Sequence, residues 1–325
     1  MTIHSRSQPV LALIAVALIC SALITAANAP AEVSTEVNAS VGVNAGSGTR
    51  SLDPVTQDNP ETDREAPPGL IAPQIFSQGA QMNALLYTAN GPGPHPTVLL
   101  LHGFPGNEKN LDLAQALRRA GFNVLFFHYR GAWGSDGDYS LPGVLDDIVT
   151  ALRFLQEKSA DPEFRIDPAR ISLAGHSLGG FGALATGIEH RDMICTVALA
   201  PADLGASIGP LLAGRPDLSA PQYAAPMPGL KNYGYGSLIA DTAKDLKRYT
   251  LNARMAAFKD RALLIVSADQ DEAVPLEINL ALAEAARAAG AAPFEHLVLD
   301  ADHSFSWNRV EFTRRIVQWM TEHCR

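Results

Sequence analysis

Cysteine is scarce in this chain: 325 residues hold three, at positions 20, 195 and 324. None stands in a C-x-x-C pair and the nine histidines form no H-x-x-x-H, so neither a metal nor any other cofactor finds its ligand pattern here. Positive charge is also sparse. Against 34 Asp and Glu stand 25 Lys and Arg, for a net charge of -9, with no basic cluster, which excludes nucleic acid as a partner. No segment recurs at a period of about 20 to 50 residues, which excludes solenoids and propellers. Between residues 32 and 72 there is no aromatic residue and no apolar periodicity.

Hydrophobic residues make up 47% and charged residues 18%, enough for one large globular domain. The N-terminus differs from the rest. Arg6 precedes an uncharged run over 7–31 with a continuous apolar centre at 10–19, so 1–29 reads as an export signal, cleaved or retained as a membrane anchor. The cleaved form is the expectation, with the protein periplasmic or extracellular. Residues 30–73, rich in Ser, Thr, Asn, Asp, Gly and Pro, read as a disordered linker. Cys195 lies in an apolar run and reads as a small buried hydrophobe. A disulfide to Cys324 needs the two backbones within about 7 Å, and the sequence leaves that pairing open.

From residue 74 onward, apolar strands alternate with helices. Strands are expected at 74–77 and 82–88 as an antiparallel edge, then at 97–101, 123–128, 170–175, 194–199, 262–266 and 294–299. Helices are expected at 107–120, 144–158, 178–188, 276–289 and 307–322. Short apolar strands separated by helices specify a mostly parallel sheet covered on both faces. The alternation breaks at 203–249, a stretch far longer than an ordinary connection, which reads as a cap over the C-terminal edge of the sheet.

The most informative segment is Gly175-His176-Ser177-Leu178-Gly179, a G-x-S-x-G between a strand and a helix. In such a turn the flanking residues have no room for side chains, and the serine hydroxyl is pushed into the open at a helix N-terminus. A serine alcohol is a poor nucleophile without a base, and the base needs an orienting acid. His303, in the loop after the last strand, is the expected base. The loop after strand 262–266 carries two candidates for the acid, Asp269 and Asp271; Asp271 is the expected one, since Asp269 is better placed to hold the turn. The tetrahedral intermediate needs two N–H donors, taken here as the backbone amides of Leu178 and Phe104, the latter in the loop His102-Gly103-Phe104-Pro105-Gly106.

These motifs, with Val274-Pro275 after Asp271 and the chain order Ser, Asp, His, resemble the serine α/β-hydrolase superfamily over about residues 74–323. The segment Tyr129-Arg130-Gly131-Ala132-Trp133-Gly134-Ser135 and the cap position are similar to the small esterase and prolyl-oligopeptidase-like branch. The resemblance implies an α/β-hydrolase fold, an eight-stranded sheet with a short cap insertion in a domain over 74–325, and hydrolysis of an ester or amide. Ser177 stands where dienelactone-hydrolase relatives carry cysteine, and His-Gly-Phe replaces the triple glycine of the hormone-sensitive-lipase type.

The expected function is an exported serine esterase. A peptidase or amidase acting on short peptides, and a non-catalytic binding protein on the same fold, are the alternatives. The substrate is expected to be a small molecule, and His102, Tyr223, Met227, Tyr233 and Tyr235 are the expected pocket residues.

Overall fold

A computed structural model describes residues 52–325. The expected export signal at 1–29, and the linker up to residue 51, lie outside the described residues. An eight-stranded sheet organises the domain, in the order β1 (Gly69–Ile71), β4 (Ala84–Thr88), β6 (Asn123–Phe127), β5 (His95–Leu101), β7 (Ile166–His176), β8 (Cys195–Leu199), β9 (Ala262–Ala268), β10 (Phe294–Leu299). Strands β5 to β10 run parallel to one another, while β4 is antiparallel to both its neighbours, β6 and β1. Two further strands, β2 (Ile75–Ser77) and β3 (Ala80–Met82), pair only with each other in a hairpin. The expected strand at 82–88 is therefore two short strands in different sheets.

The strand sequences show why the sheet is buried on both faces. Along β5, Leu99 and Leu101 enter one core, whereas Val98 and Leu100 enter the other. Along β9, Leu263 and Ile265 alternate in the same way with Leu264 and Val266. Such two-sided apolar runs belong to parallel strands with helices on both faces. Helices α1 (Leu111–Arg119) and α8 (Arg309–His323) cover one face. On the other lie α2 (Leu141–Lys158), α3 (Leu178–Glu189) and α7 (Leu276–Ala289). Among the described residues, no helix is long and apolar enough to cross a membrane.

Two sequence expectations need correction. The linker reading of 30–73 fails at its C-terminal end, because Gly69–Ile71 is the edge strand β1, paired with β4. Residues before it are tied down as well: Arg119 donates to the carbonyls of Pro54 and Val55, and Arg165 to those of Ala66 and Pro67. The cysteine reading was incomplete. Cys195 on β8 and Cys324 just after α8 form a disulfide, with Cα atoms 5.7 Å apart and both residues buried. The terminal helix brings Cys324 back to the face of β8 that holds Cys195.

The insertion after β8 contains α4 (Leu204–Ala213), the short α5 (Pro221–Ala224) and α6 (Tyr235–Lys244). Its two ends are joined by one buried carboxylate. Asp203 Oδ1 caps α4 through the amide of Ala206, and Oδ2 accepts from the amides of Leu251 and Asn252.

Candidate active site

Loops at the C-terminal ends of β5, β7, β9 and β10 carry the residues singled out in the sequence, the edge at which parallel sheets place their ligands. At the end of β7, Ser177 takes φ 58°, ψ −117°, a left-handed conformation that an L-residue adopts only under constraint. The constraint is visible. Its N–H donates to Leu199 O at 2.8 Å, and its carbonyl accepts from Phe181 N and Ala202 N. A Cβ on Gly175 would meet the Gly179 carbonyl, and one on Gly179 the Leu101 carbonyl, so both flanking positions must be glycine. Ser177 is left half-buried at the first turn of α3, and among the described residues its hydroxyl has no hydrogen-bond partner.

Asp271 and His303 meet. His303 Nδ1 donates to Asp271 Oδ2 at 2.7 Å, which places the other ring nitrogen, Nε2, in the acceptor form a base requires. The Asp271 side chain is 2% exposed and that of His303 22%. Asp271 is itself oriented, since Oδ1 accepts from the amides of Ala273 and Val274 at 2.8 and 2.7 Å. Asp269 instead accepts from Ala301 N and holds the start of the loop that carries the histidine.

Two residues that sequence reasoning did not assign to the site hold that loop. His176 donates from Nε2 to the carbonyl of His303 at 2.7 Å, with ring centroids 4.7 Å apart. Arg309, at the first turn of α8, donates to Ser304 O and forms a forked pair with Asp112. His176 carried a signal in its place beside the serine within the G-x-S-x-G segment; Arg309 carried none.

The loop after β5 lies against the serine. A Cβ on Gly103 would come within 2.9 Å of Ser177 Cβ, so glycine permits the approach. The amides of Phe104 and Leu178 donate to no protein acceptor among the described residues. Unpaired amides beside a serine at a helix N-terminus form a site for negative charge.

The expected pocket residues divide. His102 is not a pocket residue: it is wholly buried among Phe126, His128 and Tyr129, and its Nδ1 donates to Gly103 O at 2.8 Å. Burial, with His128 and Lys109 nearby, pushes its pKa down to about 3, so the ring is neutral. Tyr233 is not one either. It is 5% exposed, and its hydroxyl donates at 2.9 Å to Asp241, the cap carboxylate that accepts from Leu141 N and so fastens the cap to the N-terminus of α2. Tyr223 and Tyr235 stack with ring centroids 6.4 Å apart and are half-buried, as is Met227.

Comparison with known proteins agrees with this architecture. Over 104 residues the chain is 36% identical to an uncharacterized protein of Mycobacterium tuberculosis, covering 32% of this chain and 34% of that protein. It is 35% identical over 105 residues to the uncharacterized protein YfhR of Escherichia coli O157:H7, covering 32% and 35%. The chain thus spans about a third of the length of these curated relatives. Among solved structures, Est1E from Butyrivibrio proteoclasticus with bound ferulic acid superposes with a TM-score of 0.60 at 20% identity, covering 78% of this chain and 99% of that one. The Pyrococcus horikoshii acylaminoacyl peptidase gives 0.60 at 13% identity, covering 79% and 42%. At these identities the superpositions speak for the fold alone. The model of the alpha/beta hydrolase family matches residues 98–315, from the middle of β5 into α8, and the chain belongs to that family.

Proposed function

We propose that this protein is an exported serine hydrolase that cleaves carboxylic esters through an acyl-enzyme. The observation that carries the reading is the Asp271–His303 hydrogen bond, with its carboxylate buried and its imidazole at the same sheet edge as a strained serine whose hydroxyl has no partner among the described residues. His303 Nε2 takes the proton of Ser177 Oγ as the oxygen attacks the acyl carbonyl. The C–O⁻ that forms is met by the amides of Phe104 and Leu178. As the tetrahedral species collapses, the bond to the alcohol breaks, and His303 passes its proton to the departing alkoxide. Water, deprotonated by the same imidazole, attacks the acyl carbonyl, and release of the acid regenerates the Ser177 hydroxyl.

An ester is favoured over a peptide because an alkoxide leaves with less assistance than an amine. The neighbour Est1E holds bound ferulic acid, which fits an ester reading and puts aromatic acyl groups among the first substrates to try. Export is favoured by the buried Cys195–Cys324 disulfide, a bond that persists in oxidising compartments.

The test is a fluorophosphonate probe on the purified protein beside Ser177→Ala and His303→Ala, with p-nitrophenyl acetate and octanoate as substrates. Labelling and turnover in the wild type, lost in both variants, is the expected result. A wild type that neither labels nor turns over ester would overturn the reading. Labelling with turnover of short peptides alone would move the assignment to a peptidase.

A further inference from the structure

Trp133 stands at a junction that the proposed chemistry does not use. It follows β6 by six residues and takes φ 50°, a left-handed conformation costly for a bulky side chain. Three contacts hold it there. Its indole Nε1 donates to the carbonyl of Pro105 at 2.7 Å, one residue past the Phe104 amide. Its backbone N–H donates to Gly229 O in the cap, also at 2.7 Å. Gly229, at φ +82°, lies directly on the indole: a Cβ there would come within 2.7 to 3.0 Å of three ring atoms.

The junction extends on both sides. Ala132 bridges to Leu230, and Lys231 N donates to Gly131 O at 2.8 Å, so residues 131–133 and 229–231 run together as a short antiparallel ladder. The Lys109 ammonium covers the indole at 4.9 Å from its centroid. The cap reaches the same loop a second time, through an edge-on contact between the rings of Phe104 and Tyr233, centroids 6.1 Å apart. A rigid side chain that bonds the anion-binding loop with its edge and the cap with its face transmits the position of one to the other.

We propose that Trp133 is a positioning residue that couples the seating of the cap to the geometry of the oxyanion loop. With residues 229–231 seated, the indole holds the Pro105 carbonyl and so fixes the direction of the Phe104 amide. When the cap lifts, that hold is lost. The turnover number therefore depends on cap position, and substrates whose acyl groups let the cap close are turned over fastest. The inference rests on the function proposed above for its kinetic consequence, but the coupling itself has a readout that needs no activity.

The experiment reads the loop while changing the cap. In Gly229→Ala the added methyl group must push the 229–231 segment off the indole. Amide hydrogen exchange over residues 102–108 is expected to quicken at least tenfold in this variant, as it is in Trp133→Phe, which keeps a ring and removes the N–H. Exchange over 102–108 unchanged in both variants would overturn the coupling, whatever the protein hydrolyses. Kinetically, each variant is expected to lose about tenfold in kcat on p-nitrophenyl acetate with KM altered less than twofold, and the double variant to lose no more than the worse single one. Loss expressed in KM alone, or losses that multiply, would overturn the link to catalysis. Quickened exchange in a protein that turns over no ester would leave the coupling standing and remove the proposed function. Should Gly229→Ala not fold, Trp133→Phe gives the same exchange and kcat readings.

Discussion

The imidazole of His176 is bonded to the main chain of His303, not to its ring: Nε2 donates to the His303 carbonyl at 2.7 Å. The residue beside the nucleophile thereby fixes the loop that carries the base. His176 is 3% exposed, and burial, reinforced by His303 nearby, pushes its pKa down to about 3, so it acts as a neutral donor. Among the described residues its Nδ1 has no hydrogen-bond partner, so there the ring's polar contact is this one bond.

His176→Phe is expected to keep the fold and lower kcat by about ten- to a hundredfold with little change in KM, because displacement of a catalytic group by about 1 Å costs on that order. His176→Gln, which restores a donor, is expected to recover most of the loss. Steady-state kinetics of the two variants separate the hydrogen bond from simple packing; equal losses in both would point to packing.

The same histidine, with His102, sets a prediction on acid stability. Both are buried neutral, with pKa values lowered to about 3 against an ordinary 6.5. Below pH 6.5 the unfolded chain binds protons at these sites that the folded chain does not, so stability is complete above that pH and falls as pH drops toward 3. Each contributes a slope of about 1.4 kcal/mol per pH unit across that window. Urea unfolding between pH 7 and 4 is expected to lose stability progressively, and His102→Gln to have a shallower slope by about one proton. An unchanged slope in that variant would contradict the buried neutral state.

Asp203 closes the cap insertion by accepting from Ala206 N, Leu251 N and Asn252 N at 3.2, 3.0 and 2.9 Å. Asp203→Ala leaves three amides without their acceptor, and the residue is 1% exposed. The expected cost is about 2–4 kcal/mol, from the penalty of unsatisfied buried donors. Asp203→Asn, with one good acceptor oxygen remaining, is expected to lose about half as much. Denaturant unfolding measures both; a loss below about 1 kcal/mol in the alanine variant would mean that water replaces the carboxylate.

The chemistry-bearing loops were legible in the sequence because each is defined locally. The elbow needs glycine at 175 and 179 for reasons of space, and the last strands end just before Asp271 and His303. What escaped depends on partners distant in the chain. Gly69–Ile71 has three residues and proline on both sides, too little to show strand periodicity, and is a strand only because β4 is there to pair with it. Strand β7 starts at Ile166, across Asp167 and Pro168, where no alternation of apolar residues marks it. Tyr233 and His102 have the composition of pocket residues, yet Asp241 and the Gly103 carbonyl turn them inward. No local pattern announces such a partner.

The disulfide is the clearest of these long-range partnerships, and it bears on both stability and location. Cys195 sits in β8 beneath α8, and Cys324 follows that helix directly, so the bond closes a loop of 129 residues and pins the terminal helix. Arg309, at the other end of α8, holds the carbonyl of Ser304, next to the base. Pinning the helix at its C-terminus therefore also limits movement at the His303 loop. Cys324→Ser is expected to cost about 3–5 kcal/mol, the range for a long loop released in the unfolded state. Protein isolated from an oxidising compartment and unfolded without reductant is expected to show no free thiol at 195 or 324, leaving Cys20 as the one thiol that titrates if the N-terminal segment is retained. Two reactive thiols at 195 and 324, with unfolding unchanged in Cys324→Ser, would show that the bond does not form and would remove the support it gives to export.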